Sequence, residues 1–200
     1  MATTYTGLLA EVADTLIRDD LTSVIPTFVA AAEAQLNRDV RHWKMEAIDT
    51  SSVNGRYAAI PSDWVETIRA TMNDKPLALM SRDDMQRQRS KDSASGAPLN
   101  YAHVAGQIEL YPTPDAAYDL ELLYIQSVPA LATNETNWLL TLAPDLYLYA
   151  TLIESAIYLK DEERLTAYAA MYKSKLEALN SASRKATSSG TNLKLKIRSY

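Results

Sequence analysis

Apolar residues near the start of the chain recur every three or four positions, which is the spacing of one face of an α-helix. Over residues 4–18 they are separated by Glu11, Asp14 and Arg18, which form a polar face. The apolar positions of this first predicted helix are Leu8, Leu9, Val12, Leu16 and Ile17. Residues 19–23 are mostly polar and interrupt the pattern, so the helix is predicted to end before them.

Three further helices follow from the same periodicity. The second is predicted from Pro26, which suits a first helical turn, to about Arg41. The third starts at Pro144, and the fourth runs from 162 to about 183 with Asp161 as its cap. The predicted buried face of the second helix holds Ile25, Phe28, Val29, Ala32, Leu36 and Val40. That of the third holds Leu146, Tyr149, Ile153, Ala156 and Ile157.

Between these helix pairs the helical spacing disappears, and short runs of β-branched or aromatic residues alternate with turns. Strands are predicted at 45–53, 57–60, 64–72, 75–80, 101–104, 107–111 and 119–126. Asn73-Asp74 and Ala105-Gly106 are predicted hairpin turns, because these residue types tolerate positive φ. Ser81 is the predicted cap of a brief helix.

Together these elements predict an α+β fold: an antiparallel four-helix bundle with an inserted antiparallel β-rich lobe and an extended C-terminal tail. Residues 1–43 and 134–185 are predicted to form the bundle, because neither helix pair buries its apolar stripe alone. Residues 44–133 form the predicted β-rich lobe, and 186–200 the tail.

The predicted tail has a strand-like pattern. Apolar and basic residues alternate along 193–198, which places three aliphatic side chains on one side of an extended chain and three cations on the other. No acidic residue occurs between 181 and 200. The tail is therefore predicted to dock on an acidic partner surface or a neighbouring subunit, or to touch phosphates, with a solvated terminus as the alternative. The residues that would make this contact are Arg184, Lys185, Leu193, Lys194, Leu195, Lys196, Ile197 and Arg198.

Composition narrows the possible functions. The 200 residues include no cysteine, which excludes disulfides, thiolate metal sites and cysteine nucleophiles. The net charge of −5 gives the whole chain no attractive field for nucleic acid. No run of apolar residues approaches the roughly 20 needed to span a bilayer, so no membrane contact is predicted. Tyrosine outnumbers phenylalanine twelve to one, and amphipathic rings are typical of interfaces.

No catalytic, metal or cofactor motif stands out, and the sequence predicts a non-enzyme. His42 and His103 are far apart and are predicted to lie at a helix end and on a sheet surface. The acidic pairs at 19–20, 83–84 and 162–163 fall at predicted helix starts or connections, where capping or solvation explains them. Basic residues of the brief helix alternate with acids and are predicted to form a solvated face, namely Arg82, Arg87, Arg89 and Lys91. Five tyrosines of the last two helices are expected to lie in the core and rim of the bundle, and their number also suits the packing of subunits against one another: Tyr147, Tyr149, Tyr158, Tyr168 and Tyr172.

Segments along nearly the whole chain follow, in order, the pattern of one protein family. They are TTYTGLLAEVADTLIRDD, IPTFVAAAEAQLNRDVRHW, YAAIPSDWVETIRATMN, VAGQIELYPTP, YDLELLYIQSVPAL and NETNWLLTLAPDLYLYATLIESAIYLKDEERLTAYAAMYKSKLEAL. The strongest element is TNWLLTLAPDLYLYATLIESAIYLKDEER. Through these segments the chain resembles the head-to-tail adaptor proteins of tailed bacteriophages, also called connector or head-completion proteins.

The resemblance implies a structural virion protein, assembled in the host cytoplasm and placed at the head–tail interface. It implies a homo-oligomeric ring of twelve subunits beneath the portal. The implied partners are the portal protein, tail or nozzle and stopper proteins, and further copies of the chain. DNA would pass through the central channel during ejection without specific binding.

Two other functions stay open at this point. One is a cell-wall-degrading enzyme associated with the tail, in which the fold alone brings two carboxylates together. The other is a DNA-packaging accessory protein. A turbidity assay on cell walls and a salt-titrated DNA-retention measurement distinguish these two functions from a structural adaptor.

Overall fold

The computed structural model describes residues 1–189, which form two compact units. The first unit comprises Met1–Lys44 and the chain from Val128 onwards, and the second comprises Met45–Ser127. The helices are α1 (Tyr5–Leu16), α2 (Ile25–Asp39), α3 (Arg82–Lys91), α4 (Trp138–Leu142), α5 (Pro144–Leu159) and α6 (Glu162–Ser188). The strands are β1 (Glu46–Val53), β2 (Tyr57–Ala59), β3 (Trp64–Met72), β4 (Lys75–Pro76), β5 (Ala78–Leu79), β6 (Asn100–Val104), β7 (Gln107–Tyr111) and β8 (Tyr118–Gln126).

Helix α5 is the centre of the first unit. It contacts α1, α2, α4 and α6, with its main packing against α2 and α6. Helix α2 buries the face that the sequence predicts, including Phe28, Ala32 and Leu36. The buried positions of α5 lie on several sides of the helix, namely Leu146, Tyr147, Ala150, Thr151, Leu152, Ser155 and Ala156. A helix that packs on both sides needs such a broad buried surface.

The predicted four-helix bundle is wrong, although the fold is α+β. Among residues 1–189 there are six α-helices and two sheets of four strands each. Helix α6 buries a narrow stripe, with Tyr172 and Ser183 as its fully buried residues, so it lies along α5 rather than completing a common core. It also continues to Ser188, so residues 186–188 are helical rather than extended.

The second unit has three layers. One sheet has the strand order β1-β8-β3-β4, and the other has β2-β7-β6-β5. The largest core cluster contains residues of both sheets, including Ile108, Leu110, Leu120 and Leu122. Met85 of α3 packs with Ala102 and Tyr111 of the second sheet, which is therefore covered on both faces. Strand β7 shows this double coverage in its four consecutive buried residues.

The strand predicted at 75–80 is instead two short strands that belong to different sheets. Leu77 lies between β4 and β5 and is buried in the core, so the chain crosses from one sheet to the other there. The pair β5–β6 is parallel, an exception within a lobe that the sequence predicts to be mostly antiparallel. The two predicted hairpin turns are confirmed, with positive φ at Asn73, Asp74, Ala105 and Gly106.

Helix α1 ends at an unusual residue. Ile17 has φ 54° and ψ 42°, and its N–H donates to the carbonyls of Ala13 and Asp14. A β-branched residue in this left-handed region is strained by about 1–2 kcal/mol, and glycine is the usual occupant. Ile17 is also 88% exposed, so its predicted place on the buried face of the first helix is wrong.

Replacing Ile17 by glycine is expected to raise the free energy of unfolding by about 1 kcal/mol, because the strain disappears and little buried area is lost. Lys160→Gly, at the left-handed end of α5, is the matched control and should stabilise less, since lysine is not β-branched. Denaturant unfolding of both variants measures the difference. A less stable Ile17→Gly chain contradicts the assignment of strain.

Candidate functional site

Two of the five tyrosines proposed from the sequence for subunit packing are buried within their own chain. Tyr147 is 0% exposed, and Asn137 donates to its hydroxyl at 2.7 Å. Tyr172 is 6% exposed, and its hydroxyl donates to Asp39 at 2.8 Å. Burial raises the pKa of both hydroxyls. In this structure both tyrosines hold helices of the first unit together.

The other three tyrosines reach the surface to different extents. Tyr149 and Tyr168 are half-buried, with ring centroids 6.4 Å apart across α5 and α6. Tyr158 is 56% exposed, and its ring lies 5.3 Å from that of Phe28. A packing role toward another subunit stays a prediction for these three residues.

Of the predicted docking tail, the structure places Arg184 and Lys185, which are exposed on the last turns of α6. The remaining residues lie outside the described part of the chain: Leu193, Lys194, Leu195, Lys196, Ile197 and Arg198. Their docking role stays a prediction.

An exposed apolar patch, which we call the Ile17 patch, comprises Ile17, Ile157 and Tyr158. Ile17 is 88% exposed and Ile157 is 54% exposed. Helix α1 contacts α5, and Arg18, the residue after Ile17, is close enough to Tyr158 for their charges to influence each other, so the end of α1 lies near the end of α5. The sequence assigned both isoleucines to buried faces, which is wrong. Exposed large apolar residues that lie together mark a surface suited to another protein.

The second unit contains a buried ionic cluster that the sequence analysis missed. Glu109 of β7 is 5% exposed, and one of its oxygens accepts from Arg56 at 2.7 Å and from Arg89 at 2.7 Å. Arg89 also donates to the hydroxyl of Thr113 at 2.9 Å and to the carbonyl of Leu110. The predicted solvated face is therefore wrong for Arg89, whose side chain is 12% exposed and fastens α3 to the sheet.

A second polar network joins α2 to the chain that enters α4. Asn137 caps α4 by accepting from the N–H of Leu140 at 2.8 Å, and it donates to the carbonyl of Pro129. Glu33 accepts from the N–H of Leu131 at 2.8 Å and from the Tyr147 hydroxyl at 3.4 Å. Burial raises the pKa of Glu33, and these two hydrogen bonds oppose the rise. All these groups are satisfied by one another, as expected for structural polar residues.

His42 follows the end of α2, as the sequence predicts, whereas His103 is less exposed than its predicted place on a sheet surface implies. His42 is 6% exposed, and its ring stacks on Trp138 at 5.2 Å. His103 is half-buried, with its ring centroid 5.1 Å from Trp64 and 5.5 Å from Tyr101. Its Nδ1 atom is buried and makes no hydrogen bond within the described residues. Burial lowers the pKa of both rings.

Acid is expected to destabilise the fold through His103. Its folded pKa lies below the ordinary value near 6.5, so below about pH 6.5 the unfolded chain binds a proton that the folded chain lacks. Stability is therefore lost as the pH falls from about 6.5 through the folded pKa. His103→Phe retains a ring beside Trp64 and should lose less free energy of unfolding between pH 7.5 and 5.5. An equal loss in both proteins would rule out this contribution.

The acidic pairs occupy the positions expected for capping and solvation. Asp83 and Asp84 lie in the first turn of α3, where Ser81 accepts from the N–H of Asp84 at 3.1 Å. The hydrogen bond from Ser81, followed by the charge of Arg87, lowers the pKa of Asp84. Glu162 and Glu163 lie in the first turn of α6. Within residues 1–189 no group of three or more histidine or acidic side chains is placed to hold a metal ion.

None of the helices within residues 1–189 has both the length and the apolar character that crossing a bilayer requires.

Comparison with known proteins identifies the family. A family model described as SU10 adaptor protein matches residues 3–193, which is nearly the whole chain. A search of curated protein sequences found no match. The resemblance to phage head-to-tail adaptors, which rested on the order of six sequence segments, is confirmed. The chain belongs to the SU10 adaptor protein family.

Proposed function

We propose that the protein forms a closed ring beneath the portal of a tailed phage and joins the DNA-filled head to the tail. Membership of the adaptor family supports a connecting role in the virion. The observation that carries the ring is the Ile17 patch, because it combines a strained residue with exposed apolar side chains on a well-packed helical unit. Strained residues and exposed apolar patches are both typical of surfaces that bind another molecule.

In this proposal the Ile17 patch of each subunit packs against a different surface of the next copy. A contact between two unlike surfaces repeats around an axis and closes into a ring. Tyr158 belongs to the patch, and Tyr149 and Tyr168 flank the same helix pair. We propose twelve copies, with the portal protein on one side and tail, nozzle or stopper proteins on the other.

The ring would continue the channel through which DNA leaves the head. A wall that binds DNA tightly would retard ejection, and the chain as a whole carries a net charge of −5. Salt-titrated DNA retention should therefore be weak for the purified protein. Tight retention that falls steeply with salt would favour a DNA-packaging accessory role instead.

Deletion of residues 190–200 tests the proposed role of the tail. Three aliphatic residues buried on a partner contribute about 5 kcal/mol before the cost of ordering is subtracted. The shortened chain should melt at nearly the same temperature as the full chain but bind portal at least tenfold more weakly. Unchanged affinity for portal rules out a contact between the tail and portal.

A further inference from the structure

Strand β1 presents an unprotected edge. It lies at the end of its sheet, and all eight of its residues pair on one side with β8. No strand within residues 1–189 pairs with its other side. Eight residues make about 27 Å of strand with free backbone donors and acceptors. Natural edge strands are usually protected by lysine, proline, a bulge or an inward-pointing charge, and of these β1 has only the inward-pointing Asp49.

A cleft of about 360 Å³ runs beside this edge, between the margins of the two sheets. Its walls include Asp49, Ser51 and Val53 of β1 and the stretch 57–61, which begins with β2. Asp49 and Ser51 pair with Leu122 and Leu120, so they share the face of the sheet that points to the core. Val53 and Ala58 line the cleft and also belong to the buried core cluster, so the cleft borders the edge of the apolar core.

The sheet that carries this edge is acidic. Strands β1, β8 and β3 contain one basic residue, Arg69, and five carboxylates: Glu46, Asp49, Glu66, Asp119 and Glu121. Arg69 binds Glu121 at 3.2 Å. On the face away from the core, Ile48 is 62% exposed. A strand added beside β1 would thus meet the cleft, which Asp49 lines, on one face and the other four carboxylates on the opposite face.

The end of this chain has the matching pattern. Residues 193–198 alternate three aliphatic with three basic residues, and 181–200 contain no acid. Six extended residues span about 20 Å, which fits along the 27 Å edge. Side chains of a strand point alternately to its two faces. The aliphatic side chains can therefore enter the cleft while the basic side chains lie beside the carboxylates.

We propose that residues 193–198 of one copy add as a strand to the free edge of β1 in a second copy. This deepens the proposed ring function and rests on it, because a segment passed from each copy to the next makes the unlike contact that a ring needs. Leu193, Leu195 and Ile197 occupy the cleft. Lys194, Lys196 and Arg198 face the acidic sheet.

Engineered cysteines test the pairing, since the chain has none of its own. A chain carrying Thr50→Cys is mixed, under mild oxidation, with a size-tagged chain carrying Lys194→Cys, Lys196→Cys or Arg198→Cys in turn, which samples neighbouring registers. One of the three mixtures should give a disulfide-linked dimer of the two sizes as its main product. Lys75→Cys, on the opposite edge of the same sheet, is the matched control and should give at least tenfold less.

A peptide of residues 190–200 should suppress this cross-link when added in excess to the full-length chains, and a scrambled peptide of equal charge should not. Absence of a cross-link in all three mixtures overturns the proposal. So does a disulfide that forms only within one chain when both cysteines are placed in it, because the tail would then bind its own subunit. These results are obtained without portal, so they are distinguishable from a failure of ring formation on portal.

Discussion

Replacing Glu109 by alanine is expected to lower the free energy of unfolding by about 3–5 kcal/mol, the usual cost of removing one partner of a buried ion pair. The variant leaves the guanidiniums of Arg56 and Arg89 close together without the carboxylate that both bind. Most of the loss in stability should come from the unpaired charge of Arg89, because its side chain is 12% exposed whereas that of Arg56 is 40% exposed. Urea unfolding followed by circular dichroism measures the loss.

Arg87→Ala provides the matched control on the same helix. Arg87 binds Asp84 at 2.6 Å, but both side chains are more than half exposed, so the change should stay within about 0.5 kcal/mol. Glu109→Gln keeps the size of the side chain and should fall between these two results. A loss below 1 kcal/mol for Glu109→Ala would contradict the view that this cluster fastens α3 to the sheet.

Removing the Ile17 patch is expected to weaken contacts between subunits about a hundredfold. Two isoleucines transferred from water to an interface contribute about 3 kcal/mol, and each 1.4 kcal/mol changes an equilibrium constant tenfold. The variant combines Ile17→Gly with Ile157→Ser, which spares the contact between Tyr158 and Phe28. Because Ile17→Gly is expected to stabilise the isolated subunit and Ile157 is 54% exposed, the variant is expected to stay folded, and denaturant unfolding of the variant checks this.

Leu142→Ser is the control for this variant. Leu142 is 46% exposed and lies before α5, whereas the Ile17 patch lies at the end of that helix, about 24 Å away for sixteen residues. Sedimentation of each protein in the presence of portal separates bound from free chain. Equal assembly by the double variant and by the control would exclude the patch from the subunit contact.

The sequence predicts the buried face of a helix well where the apolar residues follow a single helical stripe. Helix α2 alternates cleanly between apolar and polar positions, and its predicted face is the buried one. Helix α5 is apolar on most sides, so periodicity could not select its buried face, and Ile157 was assigned wrongly. The left-handed conformation of Ile17 could not be predicted, because this position lacks the glycine or asparagine that usually indicates such a helix end.

Long-range contacts explain the other differences. At Leu77 the chain crosses from one sheet to the other, because both sheets contribute to one core. This arrangement depends on long-range contacts, so the local sequence pattern does not predict it. Arg89 resembles its exposed neighbours in sequence, and its burial depends on Glu109, twenty residues away. The sequence does contain a signal for the burial of Glu109. Its neighbours in β7 are apolar without interruption, which indicates a strand covered on both faces. Tyr147 likewise depends on Asn137 and Glu33 for its hydrogen bonds.

Electron microscopy of the purified protein, with and without portal, tests the proposed adaptor function most directly. We expect portal particles mixed with the chain to carry an added closed ring with a central opening, with twelve copies of the chain bound to each portal. The double variant of the Ile17 patch should leave portal particles bare or incompletely decorated. Portal particles that stay bare with the unaltered chain, at concentrations where it is folded, would contradict the proposed adaptor function.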